Sequence, residues 1–180
     1  MTIDMISETV QKICKKYDET DPYRLAKAMN IMIRFDPMCY YEGCCKGFYM
    51  VHCRMKHITI NGDLPEELQR IVLAHEIGHA VLHPKDAAIA AFHEITMFDD
   101  TDIKEYEANI FAAEMLLKDE DVLEALNGDM FFFQAARALY VPAELLDFKF
   151  RVMKRKGYKL DAPFVANGDF LKNIGRNDFY

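Results

Sequence analysis

A chain of 180 residues, 51% of them hydrophobic, is long enough for one domain with a buried core and too apolar to be disordered. Its formal net charge of -7 disfavours direct nucleic-acid binding, which needs clustered Lys and Arg. No apolar run nears the roughly 20 residues a bilayer requires, and the opening MTIDMISETVQKICKKYDET has early acids and no signal-peptide core, so a soluble cytoplasmic protein without membrane contact is expected.

Ile3, Ile6, Val10, Ile13, Cys14 and Tyr17 recur at helical spacing, which predicts an amphipathic helix over residues 3–17. In TDPYRLAKAMN, Asp21 suits a helix cap and Pro22 the first helical position, giving a short helix to about Asn30. IMIRFDP reads as a strand closed by Asp36-Pro37, and GFYMVHC and HITIN complete a small sheet containing a hairpin. Cys14, Cys39, Cys44, Cys45 and Cys53 are odd in number and include an adjacent pair, so reduced thiols are expected rather than a disulfide framework. His52 and His57 lie among them, but with no CxxC knuckle present the stretch is read as thiols and not as a structural zinc site.

Asp63-Leu-Pro-Glu66 has the spacing of a capping box ahead of an apolar-periodic run, predicting a helix from about Leu64 to His83 that Pro84 stops. Lys85 to Thr101 is polar and poorly periodic, a connection with a helical turn around AAIAAFHEI. Residues 102–118 are expected to be helical, followed by a short helix from Asp119 to Asn127 that ends at Gly128. MFFFQAARALYVPAELLDFKFRVMKRKG gives two helices broken at Val141-Pro142, the second ending in basic residues and Gly157. The tail from Tyr158 has little periodicity. Neither a repeat nor a linker divides the chain, so one domain over 1–180 is expected, with its core at about 20–158 and a helical segment at 119–157.

The chemistry concentrates in HEIGHAVLH, residues 75 to 83. At about 100° per residue His75 and His79 lie one turn apart on one face, so both imidazoles can reach the same ion. Glu76, a quarter-turn away, is placed to hydrogen-bond a water on that ion, the arrangement of a metallopeptidase. The alternative is a core helix whose histidines find other partners. Leu68, Ile71, Val72 and Leu82 share the face, and two imidazoles pointing into an apolar interior need a strong common partner, which a metal provides. A metzincin would carry Gly and His where Leu82 and Lys85 stand, so His83 is read as a helix-end residue or one behind the ligands near Glu76.

A catalytic zinc takes three protein ligands, so one must come from elsewhere. In EYEANIFAAEMLL, residues 105 to 117, the apolar face is read as Ile103, Ile110, Phe111 and Leu117. Glu107 and Glu114 project from that face and Glu105 points the opposite way. A carboxylate on a core-facing stripe needs a cation or strong donors. Glu107 and Glu114 are roughly 10 Å apart by helical rise, so one is the ligand and the other an acid either behind the ligands or purely structural.

ITINGDLPEELQRIVLAHEIGHAVLH followed by EYEANIFAAEMLL resembles the ImmA/IrrE family of metallopeptidases, and RALYVPAELLDFKFRVMKRKGY resembles the helical segment that ends its shared region. The resemblance spans most of residues 20–158. It implies one Zn2+ bound by His75, His79 and Glu107, with Glu76 as base, and a cytosolic peptidase that cuts a helix-turn-helix repressor to switch on mobile-element or stress-response genes. Lys118-Asp119 stands where many members have proline, and Pro142 where many have Ser, which bears on the C-terminal helices and partner choice.

The expected fold is α+β, a small zincin-like mixed sheet packed on the HExxH helix and followed by a mostly helical C-terminal part. HITIN is expected to hold the substrate by edge pairing, and His93 and Tyr106 are candidates by residue type to stabilise the developing oxyanion. Two other readings compete. Residues 130–156, with Lys154, Arg155 and Lys156, could be a DNA-binding helix-turn-helix beside a structural metal, or the chain could titrate a repressor without cutting it. Glu76 favours chemistry, because a non-catalytic zinc site needs no base.

Overall fold

The structure, a computed structural model, describes residues 1–41, 44–84, 101–126, 131–163 and 165–173. Helix α1 (Ile3–Tyr17) starts where the Thr2 side chain accepts from the Met5 N–H, and ends at Asp18, whose φ of 51° turns the chain out of the helix. Helix α2 (Pro22–Ala28) is capped as its sequence predicts, with the Asp21 side chain accepting from the Arg24 N–H.

Three strands follow: β1 (Ile31–Asp36), β2 (Gly47–His52) and β3 (Met55–Asn61), in the order β1-β3-β2. β1 runs parallel to β3, with Ile31 opposite Lys56, and β2 runs antiparallel, with Gly47 opposite Ile60. The β2–β3 hairpin turns through Cys53 and Arg54, at φ 49° and 65°, the pair of left-handed residues that a two-residue turn matched to strand twist demands. HITIN is therefore the central strand. Both sides of its backbone are paired, so the expected edge pairing of substrate to HITIN is not available, and among the described residues β2 lies at an edge instead.

Helix α3 (Glu66–Leu82) carries HEIGHAVL. The capping box does not form: Pro65 occupies the cap position with no side-chain bond, while the Asp63 carboxylate accepts the Cys39 N–H at 2.8 Å. α3 packs on the sheet through one face and on helix α4 (Thr101–Leu116) through another, so that Leu68, Ile71, Val72, Leu73, Ala74 and Ile77 are all buried. Two glycines permit these approaches. A Cβ on Gly47 would lie 2.6 Å from Val72 Cγ1, and one on Gly78 would lie 3.2 Å from both Ala108 Cα and Phe111 Cβ.

Helices α5 (Asp119–Leu126), α6 (Phe132–Ala138), α7 (Ala143–Arg155) and α8 (Phe170–Asn173) complete the described chain. α7 packs against α4 and α1, burying Phe148, Phe150, Val152 and Met153. Lys149 is buried among acids from other helices, its Nζ 2.6 Å from Glu114 and 2.6 Å from Asp119. This is the expected α+β arrangement, a mixed sheet on the histidine helix followed by helices. No helix among the described residues is long and apolar enough to cross a membrane. The helical turn expected around AAIAAFHEI, with His93, and the helix end at Gly128 lie outside the described residues.

Candidate metal centre

Because α3 keeps regular helical geometry, His75 and His79 stand one above the other with their Nε2 atoms 3.0 Å apart. The third donor comes from α4. Glu105 Oε2 lies 3.3 Å from His75 Nε2, and Glu105 Oε1 lies 3.4 Å from His79 Nε2. Among the described residues these three side chains form the group whose donor atoms all lie within 4.8 Å of one another. Ligand bonds of about 2.0–2.2 Å in tetrahedral array put neighbouring donors about 3.3 Å apart. Two imidazoles and a carboxylate at these separations therefore fit a zinc-like ion, with one tetrahedral corner left for a further ligand.

Outer contacts aim both imidazoles at that point. His75 Nδ1 lies 2.8 Å from Asn109 Oδ1, and an amide oxygen only accepts, so the proton sits on Nδ1 and the Nε2 lone pair faces the triangle. His83 Nε2 donates to Glu107 Oε2 at 2.8 Å, which leaves His83 Nδ1 to accept from His79 Nδ1 at 3.3 Å. The His79 Nε2 lone pair is thereby freed toward the same point.

The placement of Glu107 departs from the sequence expectation. Its carboxylate faces His83 and the amino group of Met1, while Glu105, expected on the opposite face, joins the histidines. α4 is enclosed by α3, α7 and α1 and so has no single core-facing stripe. Ile103, used to define that stripe, is 63% exposed. A signal for Glu105 does exist in the sequence: Ala108 is small enough to meet α3 at Gly78, and Glu105 lies one turn from Ala108 on the same face. Asn109 shares the face and was likewise missed. Glu114, expected either behind the ligands or as a structural acid, accepts from Ser7, Lys149 and Lys156 and so takes the structural part.

Glu76 is buried at 7% exposure beside the triangle. Burial pushes its carboxyl up to about 7; the charge of His79 and a hydrogen bond from the Tyr49 backbone oppose the rise, and the charge of Glu105 adds to it. For Glu105, burial alone would also raise the pKa, but hydrogen bonds and charge from His75 and His79 outweigh it and hold this carboxyl far below the usual range. The two acids are thus driven apart, Glu105 anionic at the donor triangle and Glu76 poised to exchange a proton near neutrality.

Tyr106 packs its ring against Phe148 at 5.7 Å and under Arg151 at 5.4 Å, and it lines a cavity of about 390 Å3 with Ile103, Asn167, Gly168 and Asp169. The basic cluster at the end of α7 is engaged by acids: Lys156 with Glu114 and Asp119, Arg155 with Asp4, and Lys154 with Asp161. With Lys149 buried as well, α7 is a packed helix rather than a free basic recognition helix.

Residues 26–151 match the IrrE N-terminal-like domain of the Peptidase M78 family. The chain is similar to "Uncharacterized immunity region protein 2" of Bacillus phage phi105, 38% identical over 145 residues, covering 81% of this chain and 89% of that protein. It is also similar to "Metallopeptidase ImmA" of Bacillus subtilis (strain 168), 26% identical over 151 residues, covering 80% of this chain and 83% of that protein. A match over most of its length, running through the histidine helix and Glu105, establishes that this chain belongs to the IrrE N-terminal-like, Peptidase M78, family of metallopeptidases.

Proposed function

We propose that the protein is a zinc-dependent endopeptidase of the cytoplasm, with His75, His79 and Glu105 holding one Zn2+ and Glu76 acting as base, and that its substrate is a helix-turn-helix transcriptional repressor. The 3.0 Å separation of the two Nε2 atoms, with one Glu105 oxygen 3.3 Å from His75 and the other 3.4 Å from His79, beside a buried carboxyl, carries this reading. When bound, the ion supplies a Lewis acid that polarises the scissile carbonyl and makes a nearby water easier to deprotonate. Glu76, with its pKa raised toward neutrality, accepts the proton of the attacking water and delivers it to the leaving amine. Glu107 and His83 orient His79 from behind, a supporting part in place of the ligation first expected of Glu107.

β2 takes over the part first given to HITIN. Its Tyr49 backbone bonds Glu76, which ties an edge strand to the base and favours an extended peptide laid alongside. The immunity-region name of the phage relative supports a repressor as the target, with cleavage releasing mobile-element or stress-response genes. Purified protein incubated with a helix-turn-helix repressor encoded beside its gene tests the proposal. Cleavage by the wild type, absent for Glu76→Ala and after chelation, supports it. Equal relief of repression by wild type and Glu76→Ala without cleavage establishes titration instead, and metal-independent retention of DNA establishes a binding module.

A further inference from the structure

The family match ends at residue 151, yet a later segment reaches the metal centre. Asn109 is 1% exposed, and its amide faces two ways: Oδ1 accepts from His75, while Nδ2 donates to the Gly168 carbonyl. Turned over, the amide would present its NH2 to His75 and set oxygen against the oxygen of Gly168. The Gly168 carbonyl therefore selects the one orientation that keeps the His75 proton on Nδ1 and its Nε2 lone pair on the donor triangle.

The residues flanking Gly168 are anchored on both sides. The Ala166 N–H donates to Asp147 Oδ2 at 3.0 Å, and the Ala166 carbonyl accepts from Arg151 Nη2 at 2.7 Å. Arg151 in turn binds the same Asp147 oxygen at 2.6 Å. Ala166, Phe170 and Leu171 are buried, and the Phe170 ring packs 5.6 Å from that of Phe148. We infer that Asn109 is a positioning residue for His75, and that residues 166–171, beyond the family region, set the orientation in which it works.

This inference rests on the zinc-centre reading, and the test separates the two. Full-length wild type, Asn109→Ala, Asn109→Asp, Phe170→Ser and the double variant Asn109→Asp/Phe170→Ser are checked for folding by circular dichroism. Their zinc affinity is then measured by competition with a chromogenic chelator. In the Co2+-substituted proteins, the exchangeable imidazole N–H resonances report the two histidines. Asn109→Ala is expected to weaken zinc binding about 10–100-fold and to lose the His75 resonance while keeping that of His79.

A carboxylate accepts from His75 through either oxygen, so Asn109→Asp recovers the His75 resonance and part of the affinity, its other oxygen now facing the Gly168 carbonyl without a proton to donate. Because either oxygen serves, Phe170→Ser weakens zinc binding in the Asn109 protein but not in the Asn109→Asp background. A wild type that takes up no metal overturns the zinc-centre reading and this inference with it. A metal-binding wild type with an unchanged, folded Asn109→Ala overturns the inference alone, and equal effects of Phe170→Ser in both backgrounds overturn the role of the segment. Should Asn109→Ala fail to fold, loss of the His75 resonance in Asn109→Asp overturns the inference in its place.

Discussion

A general base works best when its pKa lies near the working pH, and burial, against the opposing pull of His79 and the Tyr49 backbone, pushes Glu76 up to about 7. Glu76→Gln keeps the shape and removes the proposed base. It is expected to lower kcat/KM by about 10²–10⁴-fold with zinc content unchanged, as checked by peptide cleavage and elemental analysis of the same sample. Loss of zinc along with activity would make Glu76 a ligand instead. The convergence of His75 and His79 was legible in the sequence because a four-residue separation on a helix brings side chains together whatever surrounds the helix. Glu105 and Asn109 were not, because their roles depend on which side of α4 faces α3. That is decided by the closeness of approach between Gly78 and Ala108, and not by the exposed Ile103.

The crossing of α3 and α4 is the element on which the centre depends, since it carries Glu105 to the two histidines. Gly78 is its contact point, with backbone and side-chain atoms of Ala108 and Phe111 3.2 Å from where a Cβ would stand. Gly78→Val is expected to cost about 1–3 kcal/mol of stability by overpacking, and also to weaken zinc binding as α4 is displaced. Urea denaturation and chelator competition check the two effects, and a variant of wild-type stability and affinity would show that the crossing tolerates a wider gap. The helices α1 and α2 were readable from local signals that the structure keeps, Asp21 and Pro22 among them. The capping box failed because Cys39, distant in sequence, takes up the Asp63 carboxylate. The strand order was hidden for a related reason: the parallel pairing of β1 with β3 is set by tertiary packing rather than by a turn.

Across the whole molecule, a cluster of charges joins α1, α4, α5 and α7. Lys149, 1% exposed, meets Glu114 and Asp119, and Lys156 bonds the same two acids. Lys149→Met would leave the half-buried Glu114 and Asp119 with Lys156 as their remaining cation, Glu114 keeping Ser7 as well, and is expected to cost about 1–3 kcal/mol in denaturant unfolding. The pH dependence follows from the directions of the shifts. Burial opposes ionisation of Glu114 and Asp119, but their lysine partners outweigh it and hold both below their ordinary values of 4.5 and 3.8. Their contribution is present above those values and is lost as pH falls through the lower folded-state ones. Burial likewise opposes the charge of Lys156, yet its acids raise it above 10.5, so its contribution is present below 10.5 and disappears as pH rises through the folded value. Glu114→Gln should therefore destabilise the protein at pH 7 and much less in strong acid, and a loss independent of pH would assign the effect to packing. The central claim is that this fold gathers His75, His79 and Glu105 around one ion. Its most direct measurement is the zinc stoichiometry of folded Glu105→Ala and Glu107→Ala after dialysis: the structure predicts that Glu105→Ala loses the ion while Glu107→Ala keeps it, and the reverse result would contradict it.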